Sequence, residues 1–312
     1  MRRYIKTVFC GLLLFSVSSC MNREDFTESI FVDEPALDSD SKTYPFDKWL
    51  YDNYLIPYNL DFRYKMQDVG SDISYNLVPT VLDKAMDMAI LVKYLWFDVY
   101  AEVVSNDFLK KQGPRIIHLI GSPAYNPALN TIVLGSAEGG IKVTLYRCNE
   151  LSSRNIDMMN EYYFKTMHHE FAHILHQRKT YPKEFETYTA GYYDPTGWYL
   201  RSLSEAASIG CVSPYGSSQP REDFVEIIAN YIVKTDAQWN AIMNLASKPG
   251  IDFNGQVVPN NLKMRGDEII KAKLEMVGKW LKEAWEIDLH ALRKEVQERQ
   301  KHVDEILNQN YW

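Results

Sequence analysis

His169, Glu170 and His173 stand in the order His-Glu-Phe-Ala-His, and these three side chains could work on a metal. Residues four apart on an α-helix share one face, roughly 6 Å apart along the axis. Two imidazoles so placed can share one divalent ion, and zinc favours such nitrogen ligands. Glu170, beside the first histidine, can reach a water on the metal and act as general base. The chemistry implied is metal-assisted hydrolysis around one Zn2+ ion. Such a helix must be largely buried, and Met167, Phe171, Ala172, Ile174 and Leu175 are all uncharged.

A hydrolytic zinc site keeps one position open and needs a third protein ligand. His176 shares the face of His169 but lies about 10 Å along the axis, too far for the same tetrahedral site. His168 is one residue off that face and is expected to point outward or bond locally. The pattern that places a third histidine at 179 fails, because Lys179 is there. A downstream carboxylate is therefore expected, and two compete. Glu205 opens a short helix in Ser204-Glu205-Ala206-Ala207. Glu222 opens Glu222-Asp223-Phe224-Val225-Glu226. Glu222 is preferred, because Glu226 follows one turn later as an acceptor for a ligand's N–H. Tyr215 also precedes it in a Gly-containing loop, where a phenol could face the reacting carbonyl.

The elements that must hold these groups follow from periodicity. Residues 81–104 carry apolar side chains at helical spacing and read as a buried helix. Residues 114–120, 131–134 and 141–146 read as strands, with 135–140 as a turn-rich joint, together a small antiparallel meander. Residues 160–177 form the helix with the two histidines, and 178–202 are irregular. Short helices are expected at 203–209 and 222–232, around a loop at 213–217, and two charged amphipathic helices over 267–307. The class is α+β with helix dominating.

Composition narrows the function. Hydrophobic residues at 46% against 24% charged exclude a wholly disordered chain. A net charge of −7, with no basic run in the body, argues against nucleic acid. At the N-terminus, Arg2, Arg3 and Lys6 precede an apolar run from Val8 to Phe15, too short to span a bilayer and suited to a secretion signal. Val17-Ser18-Ser19-Cys20 then resembles a lipoprotein cleavage site, with acylation on Cys20. Asn22-Arg23-Glu24-Asp25 is similar to the tag that sends Bacteroidetes-type lipoproteins to the outer face of the outer membrane. The expected division is a signal over 1–19, an acidic tether over 20–44 and one domain over 45–312. Cys148 and Cys211 are expected as buried thiols, with a bridge as the alternative in an exported chain.

As a set, the His169–His173 motif, Ser213-Pro214-Tyr215-Gly216 and Glu222-Asp223-Phe224-Val225-Glu226 resemble the zinc peptidases of the anthrax-lethal-factor type. A closer resemblance is to zinc-binding metallopeptidase lipoproteins of Bacteroidetes-type bacteria, associated with outer-membrane substrate import. It covers the lipobox and most of the chain after residue 45. Val225 departs from it, standing where the pattern usually has Ala. The resemblance implies a zincin-like fold, zinc on His169, His173 and Glu222, Glu170 as base and Tyr215 as oxyanion donor. It also implies a peptide or protein substrate, a lipid-anchored cell-surface location and an import complex as partner. Two rival functions remain open at this level: a surface binding subunit with a structural or inactive zinc site, and a zinc amidase acting on peptidoglycan or glycopeptide. A further expectation is that residues 131–134 or 141–146 form a sheet edge where substrate backbone adds as a strand.

Overall fold

The computed structural model describes residues 37–66, 76–126, 131–133, 135–138 and 141–311. The signal, Cys20 and most of the expected tether lie outside the described residues. Contacts divide the chain between Ser41 and Lys42, and every described helix and strand belongs to the unit Lys42–Trp312. Its first helix is Tyr44–Leu50, opened by a proline in the first turn.

Three strands, β1 (Asp61–Arg63), β2 (Ile116–Leu119) and β6 (Lys142–Leu145), run parallel in one sheet. A fourth, β5 (Gly135–Glu138), lies antiparallel to β6 and closes the order β1-β2-β6-β5. Two shorter strands, β3 (Ala124–Asn126) and β4 (Thr131–Val133), pair only with each other, antiparallel. The expected antiparallel meander is therefore corrected to a mostly parallel sheet with one antiparallel edge and a separate hairpin. Consecutive strands usually pair, and that expectation misled here: the chain leaves β2, makes the hairpin and β5, and only then returns beside β2 as β6. The joint expected over 135–140 is itself the edge strand over 135–138. Gly135-Ser136-Ala137-Glu138 has no β-branched or aromatic residue, so nothing in its composition marks a strand. Residues 141–146 are not an edge, because β6 lies between β2 and β5. All four residues of β6 are buried, as suits an interior strand.

Helices make up most of the rest. Helix α1 (Leu82–Val92) continues through a π-helical turn (Lys93–Phe97) to Val103, much as the apolar spacing predicts. Helix α2 (Lys165–Arg178) carries the histidine motif and is preceded without a break by a π-helical turn (Asn160–Phe164) and a short helix (Ile156–Met159). Trp96 meets the Phe171 ring edge-on at 5.6 Å, and Tyr100 does so at 5.3 Å, so α1 backs the apolar side of α2. Helix α3 (Leu203–Ser208) is opened by a capping box between Ser202 and Glu205. Helix α4 (Pro220–Val233) packs against α2, α5 (Gly266–Trp285) and α6 (Leu289–Gln300). A helix so enclosed is buried on nearly every side, and most of α4 is. Yet Glu222, Asp223, Glu226 and Asn230 are among its buried residues, and each must find partners there. A helix at Asp236–Ala246 was not anticipated, although Thr235 and Gln238 form a capping box at its start.

Cys148 and Cys211 are buried free thiols. Burial pushes the Cys148 thiol up to about 12, so it is inert as a nucleophile. No helix among the described residues is long and apolar enough to cross a membrane.

Candidate metal centre

Three ligand atoms converge where α2 crosses α4. His173 Nε2 lies 3.1 Å from His169 Nε2 and 3.1 Å from Glu222 Oε2. His169 Nε2 lies 3.2 Å from the same oxygen. Ligands about 2.0–2.1 Å from a tetrahedral ion are about 3.3 Å from one another, so this triangle has the size of one face of a zinc site. These residues form a group able to hold a metal ion. Glu222 is in the first turn of α4, after Pro220 sets the helix start. Its other oxygen, Oε1, meets Arg221 Nε at 3.2 Å and Gln219 Nε2 at 3.4 Å, which leaves Oε2 to face the histidines. Glu205, the rival third ligand, spends its carboxylate on the Ser202 backbone N–H at 2.7 Å and caps its own helix.

A second layer fixes these ligands. Glu226 Oε1 accepts the His169 Nδ1 proton at 2.8 Å, which turns Nε2 inward. Its Oε2 accepts from Ser213 Oγ at 2.5 Å and from Asn230 Nδ2 at 3.1 Å. Ser213 Oγ in turn accepts the Gly216 N–H at 3.0 Å, inside the turn that carries Tyr215. One carboxylate thus orients a ligand and anchors the neighbouring phenol. In the sequence Ser213 enters only as part of the Tyr215 motif, and Asn230 not at all. Asn230 carried a usable signal, since it stands one helical turn after Glu226.

His176 is not one of the three converging ligands, as the helical rise requires, but it is not idle. Its Nε2 lies 2.8 Å from His173 Nδ1. With His173 Nε2 turned to the cluster, Nδ1–H donates to His176. Burial, then the neighbouring His173, lowers His176 to about 4, so it stays a neutral acceptor. His168 corrects the sequence reading more sharply. It is buried instead of outward-facing, with Nδ1 3.3 Å from the Tyr100 hydroxyl, and burial holds it near 3 and uncharged.

The field at the centre suits a cation. Burial disfavours the His169 cation, but the Glu222 and Glu226 carboxylates outweigh it and raise the ring to about 10. Burial alone would raise the carboxyls. The paired histidines instead hold Glu222 well below the usual carboxylate range, and His169 leads the groups that lower Glu226 to about 2. The arrangement that favours a proton here also favours a divalent ion. Glu170, next to His169, is half-buried. The Tyr215 ring centre lies 5.8 Å from that of His169. Desolvation and the charge of Glu222 raise its phenol above the ordinary tyrosine range, so it is a hydrogen-bond donor at neutral pH.

A family model described as "Putative zinc-binding metallo-peptidase" matches residues 39–290. The chain belongs to this zinc metallopeptidase family. A crystal structure titled as a "putative zinc-binding metallo-peptidase" from Bacteroides caccae ATCC 43185 is 44% identical, with a TM-score of 0.71, over 86% of this chain and 96% of that one. No curated protein matches. For a metallopeptidase the layer behind the ligands should matter nearly as much as the ligands. Glu226→Gln keeps the volume but removes the charge facing His169. Zinc affinity should fall roughly 10–100-fold, read by competition with a chelating dye. Unchanged affinity would show that Glu226 does not orient the ligand.

Proposed function

We propose that this chain hydrolyses peptide bonds with one zinc ion held by His169, His173 and Glu222. The observation that carries the reading is the meeting of three ligand atoms at tetrahedral spacing next to Glu170. When bound, zinc supplies a Lewis acid that makes water nucleophilic near neutral pH. Glu170 then takes a proton from the attacking water and passes it to the leaving amine. Tyr215 donates a hydrogen bond to the carbonyl oxygen as charge develops there. Glu226 and His176 hold the two imidazoles in the required tautomer. The β5 edge, beside α2 in the fold, is where extended substrate backbone adds as a strand.

The site favours catalysis over a structural zinc. Structural sites close the coordination with four protein ligands, and the cluster among the described residues has three. The remaining parts of the reading rest on the sequence alone: lipid on Cys20, a cell-surface position at the outer membrane, and work beside a nutrient-import complex.

Metal removal tests the activity. Casein hydrolysis by the purified protein should disappear on treatment with a strong chelator and return with about one equivalent of Zn2+. Hydrolysis that survives complete demetallation, checked by elemental analysis, would overturn the reading.

A further inference from the structure

Beside the turn that carries Tyr215 stands half-buried Trp198, followed in the chain by exposed apolar residues. Trp198 meets the Tyr215 ring edge-on at 4.9 Å. Its position is built. Asp194 Oδ1 accepts the N–H groups of Thr196 and Gly197, at 3.1 and 2.8 Å, and the Asp194 N–H donates to Ser217 O at 2.9 Å. A Cβ at Gly197 would sit 2.3 Å from Asp194 Oδ2, so a larger residue there would displace that carboxylate. After Trp198 the chain exposes Leu200 by 67% and Leu203 by 40%.

Leu203 lies between two serines that grip a β-hairpin. Ser202 Oγ donates to Ile251 O, and the Ile251 N–H donates to Ser204 Oγ at 3.2 Å. The hairpin is β7 (Gly250–Ile251) and β8 (Val257–Val258), with Ile251 directly opposite Val257 and so on the same face. Asp252 Oδ1 accepts from the N–H groups of Asn254 and Gln256, both at 2.8 Å, so the turn between the strands is ordered. Phe253 on this turn is 74% exposed, and Val257 on β8 63%. Scattered exposed apolar residues are ordinary, but these stand on two segments that Ser202 and Ser204 tie together at Ile251.

We propose that this strip, from Trp198 through Leu200 and Leu203 to Ile251, Phe253 and Val257, binds large apolar side chains of an unfolded polypeptide substrate. It rests on the peptidase reading for its occupant. Its continuity with Tyr215 points to substrate, since a chain whose carbonyl lies at Tyr215 must leave the centre along one of its walls. An extended chain places alternate side chains on one face, so apolar residues a few positions from the cleaved bond would meet the strip.

The test compares F253S/V257S with the parent protein, both changes being at exposed positions. In a Glu170→Gln background, fluorescein-casein should bind about tenfold more weakly to F253S/V257S, by anisotropy. In the active background the loss should appear as a similar rise in KM for casein with zinc content and kcat retained. Equal casein affinity with and without F253S/V257S overturns the proposal while leaving the peptidase reading intact. A zinc-loaded parent that binds casein through the strip but never cleaves it overturns the peptidase reading and retains the binding surface. Co-sedimentation with phosphatidylcholine vesicles that F253S/V257S abolishes, with casein binding unchanged, overturns the proposal in favour of a lipid contact.

Discussion

Glu170→Gln is expected to leave a folded, zinc-loaded protein whose casein hydrolysis is slower by about two to four orders of magnitude. Gln matches Glu in shape and can still hydrogen-bond, but its amide cannot accept a proton at neutral pH. Glu170 is not among the residues whose ligand atoms converge, so the metal should remain. Glu222→Ala is the control with the opposite signature, because it removes the only carboxylate of that group and the metal should be lost. Elemental analysis beside initial rates separates the two. A Glu170→Gln protein that cleaves casein at the parental rate would remove Glu170 from the chemistry, whatever its metal content.

Lys273→Met should destabilise the fold by about 3–5 kcal/mol, the usual cost of leaving one buried charge without its partner. Lys273 on α5 and Asp223 on α4 form an ion pair with both side chains fully buried. Lys273 Nζ also donates to Thr189 Oγ1 at 2.6 Å and to Gly210 O at 2.9 Å, while the Tyr193 hydroxyl donates to Asp223 at 2.8 Å. All three donors of the ammonium are thus engaged. Asp223 adjoins Glu222, so this pair holds the turn of α4 that presents the third ligand. In chemical denaturation, Lys273→Met should move the midpoint strongly downward. Pairing it with Asp223→Leu should recover most of the loss, since a well-packed apolar pair can replace a buried ion pair. A Lys273→Met protein with parental stability would show that the pair does not hold α4 in place.

The candidate ligand group was more legible than the architecture. His169, Glu170 and His173 are fixed relative to one another by local helical geometry, so their spacing is enough to read. Glu222 and Glu226 share the same local spacing, which favoured Glu222 over Glu205, but which carboxylate meets the histidines depends on the packing of α4 on α2. The sheet was not legible, because strand order depends on long-range pairing, and the weak strand composition of 135–138 hid the edge beside α2. His168 is neither outward nor locally bonded, because burial of α2 extends beyond the face that carries the motif. Helix α2 is enclosed on two sides, and Tyr100 covers His168 from α1. Lys273 did leave a trace. Ile269, Ile270, Lys273, Val277, Trp280 and Leu281 lie on one helical stripe, and a lysine within such a stripe asks for a buried partner. The apolar hairpin at 250–258 was invisible to periodicity, being only two residues to a strand.

The π-helical turn at Asn160–Phe164 bears on how this chain should be aligned with its relatives. Such a turn holds one residue more than the α-helix would over the same rise. A relative lacking that residue can revert to regular α-helix there while both flanking segments keep their facing. A single-residue gap just ahead of α2 therefore leaves His169, Glu170 and His173 aimed as before, whereas the same gap inside Lys165–Arg178 would rotate half of the motif away from Glu222 by about 100°. Length variation in this family is expected to collect in the first place and to be absent from the second.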